Sequence, residues 1–133
     1  MKTGETVVVV DDERELLDMI CQVLDEDGFE VLCVEHPRRV VEMDGLHARL
    51  YLLDLMLPGM SGIQLAECIR QSEDANASIV AMSASSDMLG RAQDSGFFDD
   101  VLPKPFDLSE LLDRVETYAG SSHASSSPSR AGM

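Results

Sequence analysis

The 133-residue chain has few residues of several kinds. It contains no tryptophan, three cysteines and 5% aromatic residues, and its 10 lysines and arginines are outnumbered by 25 aspartates and glutamates. The net charge of −15 argues against direct nucleic-acid binding, because such binding draws most of its affinity from Lys and Arg neutralising phosphates. No apolar run approaches the ~18 residues that a membrane span needs. We therefore expect a cytoplasmic protein that contacts neither membrane nor nucleic acid directly.

The cysteines are few, odd in number and far apart. Cys21, Cys33 and Cys68 each lie in an apolar segment, and none belongs to a C-x-x-C pair. A chain of this length buries roughly two-thirds of its unfolded surface, so its core needs neither a disulfide nor a structural metal. We predict three buried free thiols.

Five short apolar runs alternate with segments of helical character. The runs occupy residues 7–10, 31–34, 50–53, 79–82 and, more weakly, 101–102. Continuous runs such as the four valines at 7–10 are typical of strands that are covered on both faces of a parallel sheet. The pattern predicts one α/β domain over residues 1–119. Residues 120–133 are rich in Ser and Gly without apolar periodicity, and we predict a flexible tail or linker there.

Sequence signals also mark the ends of several helices. Three pairs have the spacing of a capping box, in which a cap residue is followed three positions later by an acid or amide. These pairs are Asp12 with Glu15, Ser61 with Gln64, and Asp107 with Glu110. Gly28 is predicted to end the first helix, since glycine readily adopts the left-handed conformation found there.

Polar side chains follow four of the five predicted strands. They are Asp11 and Asp12, Asp54, Ser83, and Lys104. In parallel α/β sheets, ligands bind beyond the carboxyl ends of the strands, so these side chains are expected to share one crevice. Three carboxylates brought together repel one another unless a cation shares the site, and oxygen ligands without His or Cys favour a hard ion. The sequence therefore predicts a Mg²⁺ site, and the added ammonium and hydroxyl suit a phosphoryl group.

Four strings of residues, in order along the chain, resemble one known family. They are Val-Val-Asp-Asp-Glu at 9–13, Leu-Leu-Asp-Leu-Met-Leu-Pro-Gly-Met-Ser-Gly at 52–62, Met-Ser-Ala at 82–84, and Pro-Lys-Pro-Phe at 103–106. Over about residues 5–119 the chain resembles the response-regulator receiver domains, the CheY-like phosphoacceptor modules of two-component signalling. The resemblance implies a doubly wound, flavodoxin-like fold with a five-stranded parallel sheet in the order 2-1-3-4-5 and helices on both faces.

The resemblance also assigns a role to each residue of the crevice. Asp54 would be the phosphoacceptor, with Ser83 and Lys104 each contacting a phosphoryl oxygen, and the Lys104–Pro105 peptide would be cis. The Mg²⁺ ligands would be Asp11, Asp12, Asp54 and the backbone carbonyl of Met56, with Asp11 acting through water. Such a domain signals by phosphorylation and is not an enzyme in the ordinary sense, although it assists its own phosphorylation and dephosphorylation.

The same resemblance implies the partners. The phosphoryl group would come from a sensor histidine kinase or a histidine phosphotransfer protein in a phosphorelay. The first helix has an apolar arc of about 200°, wider than the roughly 100° needed to face a sheet, which leaves Leu16, Met19 and Val23 as candidate docking residues. The signal would pass to a downstream protein or to an output domain that is absent from this chain.

Two positions depart from the family pattern. Val101 stands where most members have an aromatic residue that swings inward on phosphorylation; Phe97 and Phe98 lie nearby. Met56, like Ser85, occupies a position that modulates hydrolysis of the acyl phosphate, and its thioether cannot orient water well. The valine at 101 keeps open the alternative of a pseudo-receiver that binds partners without being phosphorylated. A phosphatase of the haloacid-dehalogenase type is disfavoured, since Met56 replaces the second carboxylate that such enzymes need.

Overall fold

The computed structural model describes residues 5–43 and 46–120, where strands and helices alternate along the chain. The strands are β1 (Thr6–Val10), β2 (Glu30–Val34), β3 (Leu50–Asp54), β4 (Ser78–Ser83) and β5 (Asp100–Pro103). The helices are α1 (Arg14–Glu26), α2 (Pro37–Glu42), α3 (Gly62–Arg70), α4 (Ser86–Ser95) and α5 (Leu108–Ala119). The predicted strands are confirmed to within one residue at each end. The predicted tail over residues 120–133 lies, apart from Gly120, outside the described residues.

The five strands form one parallel sheet in the order β2-β1-β3-β4-β5. This confirms the predicted doubly wound topology. Asp54 pairs with Met82 and Ser83 pairs with Pro103, so the ends of β3, β4 and β5 lie side by side. Because the strands are parallel, the segments that come directly after them meet at one edge of the sheet.

Helices cover both faces of the sheet. Val7 and Val9 pack with the buried residues of α1 and α5 in one apolar cluster, whereas Val8 and Val10 pack with those of α2 and α3 in a second. A third, smaller cluster joins α4 to the sheet through Leu89 and Ala92. Since alternate residues of a strand point to opposite faces, a continuous valine run supplies both sides of the sheet.

Two of the three predicted capping boxes are confirmed. At the start of α3, the Ser61 hydroxyl accepts the Gln64 amide and the Gln64 side chain accepts the Ser61 amide. Asp107 and Glu110 make the same reciprocal pair at the start of α5. Gly28 has a φ of 102°, which confirms the predicted left-handed turn after α1.

The predicted capping box at the start of α1 is wrong. The helix begins at Arg14, its N-cap is Glu13, and no side chain caps it. The Glu13 amide instead donates a hydrogen bond to Asp11 Oδ1 at 2.9 Å. The Asp12 side chain is thus one residue too early to act as the cap.

The prediction of three buried free thiols is also wrong, because Cys21 and Cys33 form a disulfide and only Cys68 is free among the described cysteines. None of the three is fully buried, since Cys33 is exposed and the other two are half-buried. The Cα atoms of the bonded pair are 6.4 Å apart, within the usual range. α1 turns back at Gly28 and packs against β2. Cys21 lies five helical residues, or about 7.5 Å, before the end of α1. Cys33 lies three strand residues, or about 10 Å, after the start of β2. The two cysteines are therefore at similar distances from the turn and lie side by side.

The helices of the described part of the chain are short. The longest, α1, has 13 residues. None of them is long and apolar enough to cross a membrane.

Candidate functional site

The carboxyl ends of the central strands bring the predicted site residues together. Asp11 follows β1, Asp54 and Ser83 end β3 and β4, and Lys104 follows β5. The first three are buried, with exposed fractions of 0%, 5% and 2%. Buried polar side chains cost free energy unless they are paired, so their convergence at one sheet edge indicates a site rather than a surface.

Three carboxylates cluster at this edge. Asp11, Asp12 and Asp54 each offer a ligand atom within 4.8 Å of the other two. Asp12 is exposed, so water molecules could bind a metal ion beside it, whereas Asp11 and Asp54 are buried. Oxygen ligands without nitrogen or sulfur, with room for water beside Asp12, fit the preferences of Mg²⁺. The role of the Met56 carbonyl as a further ligand stays a prediction.

Lys104 supplies the positive charge that the carboxylates need in the metal-free protein. Its Nζ lies 2.8 Å from Asp11 Oδ2, 3.6 Å from Asp54 Oδ2 and 3.9 Å from Glu13 Oε1. Burial lowers the pKa of Lys104, but the hydrogen bond and charge of Asp11, together with the charges of Asp54 and Glu13, outweigh it, so the pKa is raised overall. The side chain therefore stays an ammonium group. The Lys104–Pro105 peptide is cis, as the resemblance implied.

Asp54, next to Asp11 and Lys104, is a weaker acid than an ordinary aspartate. Burial is the main cause that raises its pKa, and the charge of Asp11 adds to it, while the Met56 amide and Lys104 act in the opposite direction. The net result is a pKa of about 6. A cation placed beside Asp54 would lower this value, since it favours the charged form.

The loop after β3 holds Asp54 in place through backbone contacts. The Met56 amide donates to Asp54 Oδ1 at 3.1 Å, while Met56 itself is 62% exposed. Gly62, the first residue of α3, donates its amide to the Leu55 carbonyl at 3.0 Å. A Cβ at Gly62 would collide with the Asp54 carbonyl oxygen and come within 2.8 Å of Leu55 Cα.

Sequence reasoning assigned no role to Gly62. A glycine directly after a capping serine is the signal that could have identified it, because a helix start does not itself require glycine. Its role depends on the close approach of α3 to the end of β3.

Ser83 forms hydrogen bonds with the segment that follows β5 and with the segment that leads into α4. Its carbonyl accepts the Lys104 amide at 2.8 Å, and its hydroxyl oxygen accepts the Ser85 amide at 3.0 Å. The hydroxyl that is predicted to contact a phosphoryl group is thereby connected to the start of α4.

At position 101, where the family pattern has an aromatic residue, this chain has a valine that packs in an apolar cluster. Val101 is half-buried against the cluster formed by Leu89 and its neighbours. Phe98 contacts this cluster and also the larger cluster beneath α2 and α3, whereas Phe97 contacts only the larger one in the described part of the chain.

The exposed side of α1 is less apolar than its sequence suggested. Met19 is 41% exposed, but Leu16 and Val23 are half-buried. At the start of the helix, Arg14 forms an exposed ion pair with Glu35 at 3.0 Å. The predicted docking surface thus consists of one prominent apolar side chain with two partly covered neighbours.

Comparisons with known proteins agree with this geometry. Residues 7–116 match the family described as the response regulator receiver domain. The chain is 33% identical over 112 residues to the uncharacterized transcriptional regulatory protein YrkP of Bacillus subtilis, covering 82% of this chain and 47% of YrkP. It is 35% identical over 114 residues to the DNA-binding response regulator MtrA of Mycolicibacterium paratuberculosis, covering 84% of this chain and 49% of MtrA. The chain thus spans about half the length of these relatives.

A solved structure shows the same likeness in three dimensions. The response regulator protein TrrA from Thermotoga maritima, in complex with Mg²⁺–BeF, superposes with a TM-score of 0.73 and 27% identity. The match covers 86% of this chain and 98% of TrrA. The family match, which spans most of the described residues, shows that this chain belongs to the receiver domains of two-component response regulators.

Proposed function

We propose that the chain accepts a phosphoryl group on Asp54 as the receiver of a two-component phosphorelay. The observation that supports this most directly is the grouping of Asp54 with Asp11, Asp12 and Lys104 at one sheet edge. A carboxylate nucleophile needs its own charge and that of the incoming phosphoryl group to be neutralised from several sides. This arrangement offers both an ammonium group and a set of ligands for a cation.

The proposed reaction is a displacement at phosphorus. An oxygen of the ionised Asp54 carboxylate attacks in line and forms a P–O bond, while the bond from phosphorus to the donor's leaving group breaks with its electron pair. Lys104 then pairs with one phosphoryl oxygen and Ser83 donates its hydroxyl to another. The product is an acyl phosphate on Asp54, and no turnover of a separate substrate is involved.

Asp11, Asp12, Asp54 and the Met56 carbonyl are the residues that would hold Mg²⁺. The ion would supply charge neutralisation between the carboxylates and the phosphoryl oxygens. The oxygen-only ligand set and the exposed position of Asp12 support this choice of metal.

The proposed donor is a sensor histidine kinase or a histidine phosphotransfer protein that contacts α1. Met19, with Leu16 and Val23 beside it, forms the apolar part of the contact. Relatives of twice this length are named as transcriptional regulators, and one as DNA-binding. With a net charge of −15, this chain is proposed to act on a protein target or an output domain rather than on DNA itself.

Intact-protein mass spectrometry after incubation with acetyl phosphate and Mg²⁺ tests the proposal. We expect one phosphoryl adduct on the wild type and none on Asp54→Asn, which keeps the shape of the side chain but lacks the nucleophile. Asp94→Asn, an exposed carboxylate on α4, is the matched control and should keep the adduct. Absence of any adduct on the wild type would instead favour the pseudo-receiver alternative that Val101 suggests.

A further inference from the structure

The Cys21–Cys33 disulfide joins two residues with different surroundings. Cys33 lies on β2, which is an edge strand of the sheet, and it is exposed. Cys21 lies on α1, where it is half-buried against the apolar cluster that α1 and α5 share. Val31, two residues before Cys33, packs against the same cluster, so the disulfide lies on the face of β2 that α1 covers. A molecule that approaches from solvent therefore meets Cys33 before Cys21.

The disulfide also holds one side of α1. The side chains of this helix that are buried in the core are Leu17, Ile20 and Leu24. Cys21 is half-buried at the border of this face, on the side next to β2. Met19 and Val23 are each two residues from Cys21, which places them about 160° away around the helix. The disulfide thus holds α1 on the side opposite to the proposed donor contact and limits rotation of the helix about its axis.

We propose that this disulfide is a site of reversible thiol–disulfide exchange, which a dithiol reductant opens at Cys33 and which controls how firmly α1 is held to β2. Its consequence for signalling rests on the proposed function, because α1 is the proposed contact of the phosphoryl donor. On that function the domain would work in the cytoplasm, as the sequence predicts, where thiols are kept reduced. A disulfide in such a compartment is usually catalytic or redox-sensing rather than permanent.

The proposed exchange transfers two electrons in two steps. A thiolate of the reductant attacks Cys33 Sγ and forms a mixed disulfide, while Cys21 leaves as a thiolate that takes up a proton. The second thiol of the reductant then attacks its own sulfur in the mixed disulfide and releases Cys33 as a thiol. The reductant becomes a disulfide and this chain gains two thiols. An oxidised dithiol of the same class reverses both steps.

Opening the disulfide would change the surface of α1 more than the site at Asp54. The reduced helix would keep its core packing and the exposed ion pair between Arg14 and Glu35, which constrains it little. Rotation of α1 about its axis would then change how much of Leu16 and Val23 is uncovered, since both are half-buried in the disulfide-bonded protein. The apolar area offered to a phosphoryl donor would therefore depend on the redox state of the thiols.

The exchange site is tested in folded protein with oxidised glutathione as the probe and Cys68→Ser as the background. With Cys21→Ser added, the lone thiol of Cys33 should form a mixed disulfide on the order of tenfold faster than the lone thiol of Cys21 does with Cys33→Ser added. In Cys68→Ser alone, dithiothreitol should reduce the disulfide without denaturant, at a rate within about tenfold of that in urea. Equal rates at the two thiols, or reduction only in urea, would overturn exchange at Cys33.

Amide hydrogen exchange of oxidised and reduced Cys68→Ser tests the effect on α1. On reduction we expect the acceleration of amides 21–26 of α1 to exceed that of the α3 amides by about tenfold. α3 is the internal control, because it packs on the opposite face of the sheet and a general loss of stability would accelerate both helices alike. An equal acceleration of the two helices would show that reduction does not release α1 from β2.

Acetyl phosphate labelling of the oxidised and reduced protein separates this proposal from the proposed function. A small phosphoryl donor does not need α1, so both forms should give the Asp54 adduct in similar yield. An adduct in only one redox state would contradict the claim that the disulfide acts on α1 rather than on the site. Absence of the adduct from both forms would refute the proposed function, while the rates at Cys33 and Cys21 would still decide the exchange site.

Discussion

The ammonium nitrogen of Lys104 lies 2.8 Å from the carboxylate of Asp11, which is completely buried. Lys104→Met would leave that carboxylate without its cation, and we expect it to lower the stability of the metal-free protein by about 3 kcal/mol. Mg²⁺ would then meet a more negative site with no competing ammonium group. We therefore expect Mg²⁺ to raise the Tm of Lys104→Met by more than it raises the Tm of the wild type.

Thermal melts with millimolar Mg²⁺ or with a chelator provide the measurement. Arg14→Met is the control, since its ion pair with Glu35 is exposed and contributes little to stability. An equal Mg²⁺-dependent shift in Lys104→Met and the wild type would contradict the shared role of the carboxylates.

Burial of Asp54 makes stability depend on pH in a defined direction. Its pKa is about 6 in the folded protein against an ordinary value of 3.8, so the folded state binds the proton more tightly than the unfolded state. The corresponding stability is fully present below about pH 4 and is lost as the pH rises towards 6. Asp54→Asn has no such proton, and above pH 6 we expect it to be more stable than the wild type by about 2 kcal/mol.

Urea denaturation in chelator at several pH values checks this expectation. The advantage of Asp54→Asn should shrink towards pH 4, and the exposed-site variant Asp94→Asn should show no comparable trend. A constant difference in unfolding free energy between Asp54→Asn and the wild type across this pH range would show that the burial of Asp54 does not control the pH dependence of stability.

Two glycine-to-alanine substitutions should change the stability of the fold in opposite directions. Gly62→Ala places a methyl group against the backbone of Asp54 and Leu55, which cannot yield easily, and we expect a loss of about 2 kcal/mol with poorer adduct formation. Gly90→Ala lies in the open on a helix and should gain up to about 1 kcal/mol. Denaturant melts and acetyl phosphate labelling of both variants would compare them; an unimpaired Gly62→Ala would contradict the close approach of α3.

The disulfide between α1 and β2 predicts a particular thiol count. In denatured protein kept free of reductant we expect one reactive thiol, that of Cys68, and three after reduction. The disulfide joins residues 12 apart in the sequence, and reducing it should cost about 3 kcal/mol of stability. Cys68→Ser should leave no reactive thiol before reduction, whereas three reactive thiols in the unreduced wild type would contradict the bond.

Much of the fold could be predicted because its signals are local. The valines of β1 lie in a run that is apolar on both faces, and the Ser61 and Asp107 boxes use only contacts between residues three apart. The site residues could be located because parallel strands all end at the same edge of the sheet, so the residues at their carboxyl ends lie close together. Their roles in phosphorylation remain predictions.

The rest depended on contacts that compete with a local pattern or that join different elements of the fold. The Asp12–Glu15 spacing matched a capping box, but the Asp11 carboxylate bound the Glu13 amide and the helix began later. The pairing of Cys21 with Cys33 arises from the way α1 folds back on β2, and the need for glycine at 62 arises from the end of β3. The disulfide is not visible in any local pattern, and the glycine after the capping serine does not by itself reveal the close approach of α3 to β3.

The apolar clusters on the two sides of the sheet divide the molecule in a way that bears on its evolution. α1 and α5 share one cluster, whereas α4 packs in another on the opposite face. Substitutions on α1, the proposed contact for the phosphoryl donor, therefore repack a cluster to which α4 does not contribute. On the proposed function, a duplicated copy could change its phosphoryl donor through α1 in small steps while the packing of α4 is preserved, and separate pathways could diverge from a single ancestral domain.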